Sequence, residues 1–478
     1  MNIFLIILTI IIIFCTTLLV RALTLRPYPM PGSLTGNVIV NEDKVAADFS
    51  AILQCKTVSN REESLTDWTE FDKFYETLKE HYPLVHANCP LEKIGPAGLL
   101  FHWKGKENGG PVVLMSHFDV VPADEEYWEK PPFDGIIEDG VIWGRGAIDT
   151  KVTICGVLNA AEQLLETGFV PTSDIYFSFG GDEEIHGASC IAIVSWFAEK
   201  GIRPRLVVDE GGVIVQDIFP GVTAPCAVIG IGEKGVLDLE CSMESLGGHA
   251  STPPPNTLVG ELAKAVTRIE NNPFPGKLTK PVAEMFDTLC RHSSFGYRLI
   301  FANLWCFLPL LKYFGRKNGG NLNAMLRTTC AVTRMEGSKA FNVLPPKATI
   351  GMNLRLMDGT TVDSALAYIK KVVKNDEIKL TVVSGGEASA HSDTTSTEYE
   401  TLKKVIHTIW PEALIAPYLM MAATDSRHYL RITDRVYRFS PLKLTKEERA
   451  MIHSHNERLP LESLYKVVEF YLRLIQTV

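Results

Sequence analysis

From Pro111 onward the sequence alternates short apolar runs with helix-like stretches, and this alternation limits the fold more than any other feature. Residues 112–116, 175–179 and 206–208 read as strands, and 151–167 and 188–200 as helices. Strands separated by helices need crossovers, crossovers are right-handed, and the outcome is an α/β fold on a mostly parallel sheet. Ligands of such sheets bind beyond the carboxyl ends of the strands. Those ends read His117-Phe118-Asp119, Asp182-Glu183-Glu184 and Asp209-Glu210, so every one of them carries ligand-type residues.

After about Gly235 the rhythm changes. Strand 236–243, helix 257–270, strands 328–335 and 348–356, helix 362–373 and strand 378–383 follow in turn, the order of a ferredoxin-like β-α-β-β-α-β unit, with a long helical insertion at roughly 277–321. In "KATIGMNLRL" the alternation puts Ala348, Ile350, Met352, Leu354 and Leu356 on one face and Asn353 and Arg355 on the other. After about Gly386 helix and strand signals return, ending in a helix over 461–475. The expected plan is an N-terminal apolar segment (1–22), a catalytic domain in two parts (23–234 and 387–478), and an inserted α+β domain (235–386).

Residues 3–20 carry no charge and are just long enough to cross a bilayer as a helix. Arg21 and Arg26 follow and nothing basic precedes, so an uncleaved transmembrane anchor and a cleaved signal segment both stand, with the catalytic part expected on an extracytoplasmic face. A net charge of -9 argues against nucleic acid, which needs a basic face. The ten cysteines are scattered without a CxxC pair, which reads as buried thiols rather than a disulfide framework or a thiolate metal site. The apolar run 299–314 contains Asn303, Pro309 and Lys312 and makes a poor span; it reads as core, with the wall of an acyl-chain pocket or a membrane-facing patch as alternatives.

The candidate chemistry lies in His117, Asp119, Asp149 (in "GRGAIDTK"), Glu183, Glu184, Asp209 and the late cluster "HSHNE" at 453–457. Imidazole with carboxylates is a nitrogen and oxygen donor set suited to zinc and tolerant of manganese or cobalt. His117 and Asp119, two apart on a strand, face one side, so Asp119 can orient the imidazole. Neighbouring side chains such as Glu183 and Glu184 point to opposite sides and so suit two separate tasks.

Eight motifs in order, "MSHFDVVP", "GVIWGRGAIDTK", "GGDEE", "VVDEGG", "GGHASTPPP", "FNVLPPKA", "ATDSRHY" and "IHSHNE", resemble the co-catalytic zinc aminoacylase/carboxypeptidase family of clan MH, in particular the branch of carboxypeptidase S and the N-fatty-acyl-amino-acid synthase/hydrolase. The resemblance implies two zinc ions per subunit: His117 and Asp209 on one, Glu184 and His453 on the other (His455 the runner-up), and Asp149 bridging. It makes Glu183 the general base. Asn342 and Arg355 would grip a substrate carboxylate, and His249 would reach from the inserted lid or dimerisation domain of a homodimer partner into the neighbouring site. The implied activity is hydrolysis of an N-acyl amino acid, reversible in principle, with a carboxypeptidase or dipeptidase acting on short peptides as the alternative. A catalytically dead, membrane-tethered binding protein is the reading from another class. Glu210, Lys234, His186 and His428 read as local structure, and Ala422 and Ala423 stand where related sequences tend to have glycine, adding methyl groups near the substrate.

Overall fold

The computed structural model describes residues 3–107 and 109–478. Eight strands form the central sheet: β1 (Leu91–Ile94), β2 (Gly98–Trp103), β3 (Val112–His117), β4 (Ile175–Gly180), β5 (Leu206–Val215), β6 (Cys226–Glu233) and, after a long excursion, β11 (Leu414–Met420) and β12 (Val436–Lys443). Their spatial order is β1-β2-β4-β3-β5-β12-β6-β11. β3 pairs in parallel with both β4 and β5, which brings His117 level with Gly180 at one end of the sheet. Every residue of β3 and β4 is buried, as expected of strands covered on both faces.

Helix α2 (Lys151–Glu166) and the C-terminal helix α9 (Leu461–Thr477) contribute Leu158, Val467 and Tyr471 to the main core. Their approach requires Gly156, where an added Cβ would stand 2.5 Å from the Val467 Cγ1. Helix α3 (Ser189–Glu199) sends Ile193, Val194 and Phe197 into a second cluster with Val113 and Tyr176 of the sheet.

Between β6 and β11 the chain leaves the sheet. Strands β7 (Gly235–Glu244), β8 (Thr329–Glu336), β9 (Lys347–Leu356) and β10 (Lys379–Gly386) form an antiparallel sheet in the order β8-β9-β7-β10, the ferredoxin-like arrangement. Helices α4 (Leu258–Asn271) and α8 (Val362–Val373) supply Leu262, Ala265, Ile369 and Val373 to its separate core, where they meet the five alternate residues of β9 expected to face inward. The helical insertion, α5 (Lys280–Cys290), α6 (Phe295–Phe301) and α7 (Leu304–Asn318), joins another cluster instead: Val282, Phe286 and Phe301 pack with Leu414 and Ala416 of edge strand β11. Residues 299–314 are therefore only partly core. Helix α1 (Ile3–Thr24) is, among the described residues, the one helix long and apolar enough to cross a membrane.

The two crossings between sheets lie side by side: Ser389 Oγ accepts from Glu233 N at 2.8 Å, and Ser389 N donates to Glu233 O at 3.0 Å. The Glu233 carboxylate forms a fully buried ion pair with Arg438 of β12 and accepts from Thr424 N at 3.2 Å, which ties the crossing to the "TDSRHY" loop. Glu233→Ala leaves the Arg438 charge buried without a partner and should cost about 3–5 kcal/mol of stability. Glu233→Leu combined with Arg438→Met should cost clearly less than the single change, as read from the midpoints of urea unfolding.

Candidate active site

The acids and histidines of the sequence motifs do converge, through five separate segments. His117 ends β3; its Nε2 lies 3.0 Å from Asp149 Oδ1 and 3.4 Å from Glu210 Oε1. On the other side of Asp149, His453 Nε2 stands 3.1 Å from Oδ2 and 3.1 Å from Glu184 Oε2. Asp149 thus has one oxygen on each imidazole, the placement of a bridging carboxylate. Within the "HSHNE" motif, His453 enters the cluster and His455 packs against the Tyr127 ring, with centroids 5.1 Å apart.

Asp119 faces the His117 imidazole, as expected, and has a second task besides. The Nδ1 of His117 lies 3.0 Å from the Asp119 backbone carbonyl and 3.4 Å from its Oδ1. The two carboxylate oxygens accept from Glu183 N and Glu184 N at 3.1 Å each, and Oδ2 also accepts from Ser59 Oγ at 2.7 Å. Asp119 is the clamp that fixes both glutamates of the turn after β4.

Asp209, expected beside His117, is instead turned away: its Oδ2 accepts from Ser426 N at 3.1 Å, and Glu210 occupies the place against His117. The reason is a break in strand pairing. Arg438 of β12 is opposite Asp209 and Phe439 is opposite Gly212, so Glu210 and Gly211 bulge out of the ladder. Gly211 adopts φ 134°, a conformation suited to glycine alone. The bulge inverts which acid meets the crevice.

Glu457, the last residue of the motif and fully buried, is a further member for which the sequence offered position but no task. Its carboxylate accepts from Ile148 N at 2.7 Å, Gly146 N at 3.1 Å, Asp149 N at 3.2 Å and Arg145 Nη1 at 2.9 Å. It holds the loop that presents Asp149. A remote acid capping a loop leaves no local spacing signal, so only its membership of the motif could have drawn attention to it.

The electrostatics are those of too many acids in one place. Burial, reinforced by the Glu210 and Asp425 charges, pushes Glu183 well above the ordinary carboxylate range despite the opposing pull of His117. Burial with the charge of Asp149 pushes Glu210 up to about 8, again against His117. Burial and then Asp209 and Asp182 push Asp425 far up. Hydrogen bonds to Asp149 and Glu184 lift His453 to about 10. His117 is also raised: burial opposes its charged form, but Glu210 and hydrogen bonds to the carboxylates outweigh that. Ligand atoms of His117, Asp149 and Glu184, and separately of His117, Glu183 and Glu210, lie within 4.8 Å of one another. This hard, thiolate-free set with surplus negative charge fits a pair of dications.

Beside Glu183 opens a cavity of about 460 Å³, lined also by His186, Asp425, Arg427, His428 and Leu430. Arg355 of β9 is half-buried, its Nε donating to Asn353 Oδ1 at 3.2 Å, and its charge, after burial and with those of Arg61 and Arg427, holds His186 low. Burial and the neighbouring arginines hold His428 down to about 4. Lys234 is buried at the crossing with its Nζ on the Ala324 and Arg327 carbonyls. His249 is exposed on a two-strand ribbon and Asn342 in the turn that leads into it, and neither forms a hydrogen bond or ion pair with the cluster among the described residues.

The sequence pattern of peptidase family M20/M25/M40 matches residues 113–477. The chain belongs to that family. It is 35% identical over 454 residues to "Probable carboxypeptidase S-like 2" of Dictyostelium discoideum, covering 93% of this chain and 87% of that one. It is 34% identical over 476 residues to the "N-fatty-acyl-amino acid synthase/hydrolase PM20D1" of Xenopus tropicalis, covering 97% and 93%. Among solved structures it resembles the M20 family metallo-carboxypeptidase Sso-CP2 from Sulfolobus solfataricus, with a TM-score of 0.65, 18% identity and coverage of 92% and 100%. The M20-family chain is a hydrolase on a mixed α/β fold with a mostly parallel central sheet.

Because Glu457 holds the loop of Asp149 and pairs with the buried Arg145, Glu457→Gln should weaken metal binding roughly 10–100-fold and lower the unfolding midpoint, with the secondary structure kept. Metal titration by calorimetry, beside an unchanged circular dichroism spectrum, checks this.

Proposed function

We propose that the chain is a dinuclear zinc hydrolase that cleaves the amide bond of N-acyl amino acids, long-chain acyl groups above all. The observation carrying the chemistry is the sharing of the Asp149 carboxylate between His117 and His453, with Glu183 beside it at the mouth of a cavity. His117 and Glu210 would hold one ion, Glu184 and His453 the other, and Asp149 both; manganese or cobalt fits the same donors. When bound, the ions supply a water of lowered pKa and draw electrons from the scissile carbonyl.

Glu183 takes the proton of the attacking water and returns it to the leaving amine nitrogen. Arg355 and Asn342 bind the free carboxylate of the substrate, for which a guanidinium fork is suited. His249 is exposed and apart from the cluster of its own chain, which supports a homodimer in which the partner's copy completes the site. Helix α1 is retained as the membrane anchor, with its apolar length in support. The relative named as an N-fatty-acyl-amino acid synthase/hydrolase supports the acyl-amino-acid substrate, and the one named as a carboxypeptidase supports the second reading, short peptides with a free carboxylate.

Glu183→Gln should lower turnover about 10²–10⁴-fold with both metals kept, since the amide cannot take a proton. Glu184→Ala should lower metal content instead, as measured by elemental analysis. Mixed Glu183→Gln and His249→Ala subunits should regain part of the activity through heterodimers with one intact site.

A panel of N-long-chain-acyl, N-acetyl and dipeptide forms of one amino acid decides the substrate. Each buried methylene is worth about 0.8 kcal/mol, so four of them give roughly a hundredfold in kcat/KM. The expected outcome is a steep rise with chain length below the micelle threshold. A panel won by dipeptides, with no effect of chain length, would leave the peptidase reading in its place.

A further inference from the structure

Helix α7 is amphipathic in the wrong sense for a protein surface in water. Leu304, Leu308 and Leu311 pack inward, yet the outward face also carries large apolar groups: Trp305 is 58% exposed, Leu310 46%, Tyr313 59% and Phe314 44%. With Pro309 these positions cover one side of the helix; Arg316 and Lys317 stand in its last turn, and the half-buried Lys312 lies at the border of the face. Phe295 and Tyr297 of α6 extend the apolar surface. A contiguous face of this kind is an interaction surface.

What covers it is indicated by α1, which is fastened to it. Asn303, fully buried at the α6–α7 corner, donates its side-chain amide to the Leu18 carbonyl at 3.1 Å, and Arg21 Nε donates to the Ala302 carbonyl at 3.2 Å. Leu18 and Ala22 are the buried residues of α1. Further along, the Phe14 and Trp305 rings meet edge to face with centroids 5.8 Å apart. Beyond the helix, Arg291 Nη1 donates to the Arg26 carbonyl at 2.7 Å, and Tyr28 donates to Asp287 Oδ2 at 2.6 Å. The anchor is clamped to the body over several turns.

That clamp sets a depth. The uncharged stretch of α1 ends at Val20, and Phe14 lies six residues before it, or about 9 Å at 1.5 Å per residue. A bilayer whose hydrocarbon boundary falls at Val20 therefore places the partner of Phe14, Trp305, below the interface. That depth is within the about 5–10 Å to which interfacial helices bury an apolar face; tryptophan and tyrosine suit the headgroup boundary just above it, and basic side chains at a helix end reach back to the headgroups.

We infer that α6 and α7 are immersed in the lipid interface as a monotopic surface, so that the hydrolase is seated on the bilayer by its helical insertion as well as held by α1. This rests on the reading of α1 as a retained anchor. The occupant of the exposed face is the lipid bilayer, and the face is continuous with the helix that spans it.

The experiment uses the full chain in membrane vesicles of phosphatidylcholine carrying a radiolabelled acyl chain, with p-benzoylphenylalanine placed singly at Phe14, Leu310, Tyr313 and Leu65. All four side chains are exposed, so the replacements do not disturb a core. Illumination should attach lipid at 310 and 313 with at least half the yield at 14 and about tenfold above that at 65. Strong labelling at 14 with 310 and 313 no higher than 65 would overturn the immersion and leave the anchor standing. Failure at 14 as well would remove the anchor and the inference together. Adducts from 310 or 313 to a second copy of the chain in place of lipid would also overturn it.

Discussion

Repulsion among carboxylates is the constraint on which this site depends. Asp149, Glu183, Glu184 and Glu210 crowd around two imidazoles, and His117 and His453 offset only part of the charge. Such a cluster keeps its geometry only if the backbone beneath it cannot yield. Asp119 holds the amides of Glu183 and Glu184, Glu457 holds those of Gly146, Ile148 and Asp149, and Asp209 holds that of Ser426. Acids at the edge of the cluster, Asp119 also against His117, thus fix the loops of those at its centre. Charge-assisted hydrogen bonds to backbone N–H groups are short and strong, which makes a carboxylate a good clamp.

The division of labour between the sheets follows from the same arrangement. The parallel sheet supplies acids and histidines from its carboxyl ends, where loops of different origin meet. The antiparallel sheet supplies cations from a face that is half-buried: Arg355 projects from β9 on the side opposite the Ala348 to Leu356 core residues. One body thereby carries the surplus of negative charge, and the other a complementary positive group next to the cavity.

Much of this could be read in the residues. The β3 and β4 strands are mostly apolar runs, β9 alternates with period two, and helix α8 falls at the expected residues because local pattern and tertiary burial agree there. Strand β6 was not legible: Gly230 and Gly232 interrupt it, sitting where an added Cβ would meet Met420 and His391, and glycine in a strand erases the side-chain pattern. Asp209 was expected on the resemblance alone, and the place of Glu210 against His117 could not be read from the residues for a related reason. Strict alternation cannot reveal a bulge, whose cause is a register shift against β12, more than 200 residues later. Residues 299–314 are core on one side only, and hydrophobicity gives no account of which side faces what. Glu457 and Asp119 act on distant backbone, and such links have no signature in spacing.

The pairing of Glu233 with Ser389 has a mechanical meaning. Since the chain enters and leaves the antiparallel body through two neighbouring, hydrogen-bonded segments, a rotation of that body against the parallel sheet would be concentrated along a single line, as at a hinge. Arg355 lies on the one and Glu183 at the end of the other. The helical insertion, grown from the antiparallel body but packed on β11 of the parallel sheet, would work as a brake that limits the arc. The distance between Arg355 and Glu183 would then be a question of angle, set by the stiffness of two short crossings rather than by any side chain of the acidic cluster.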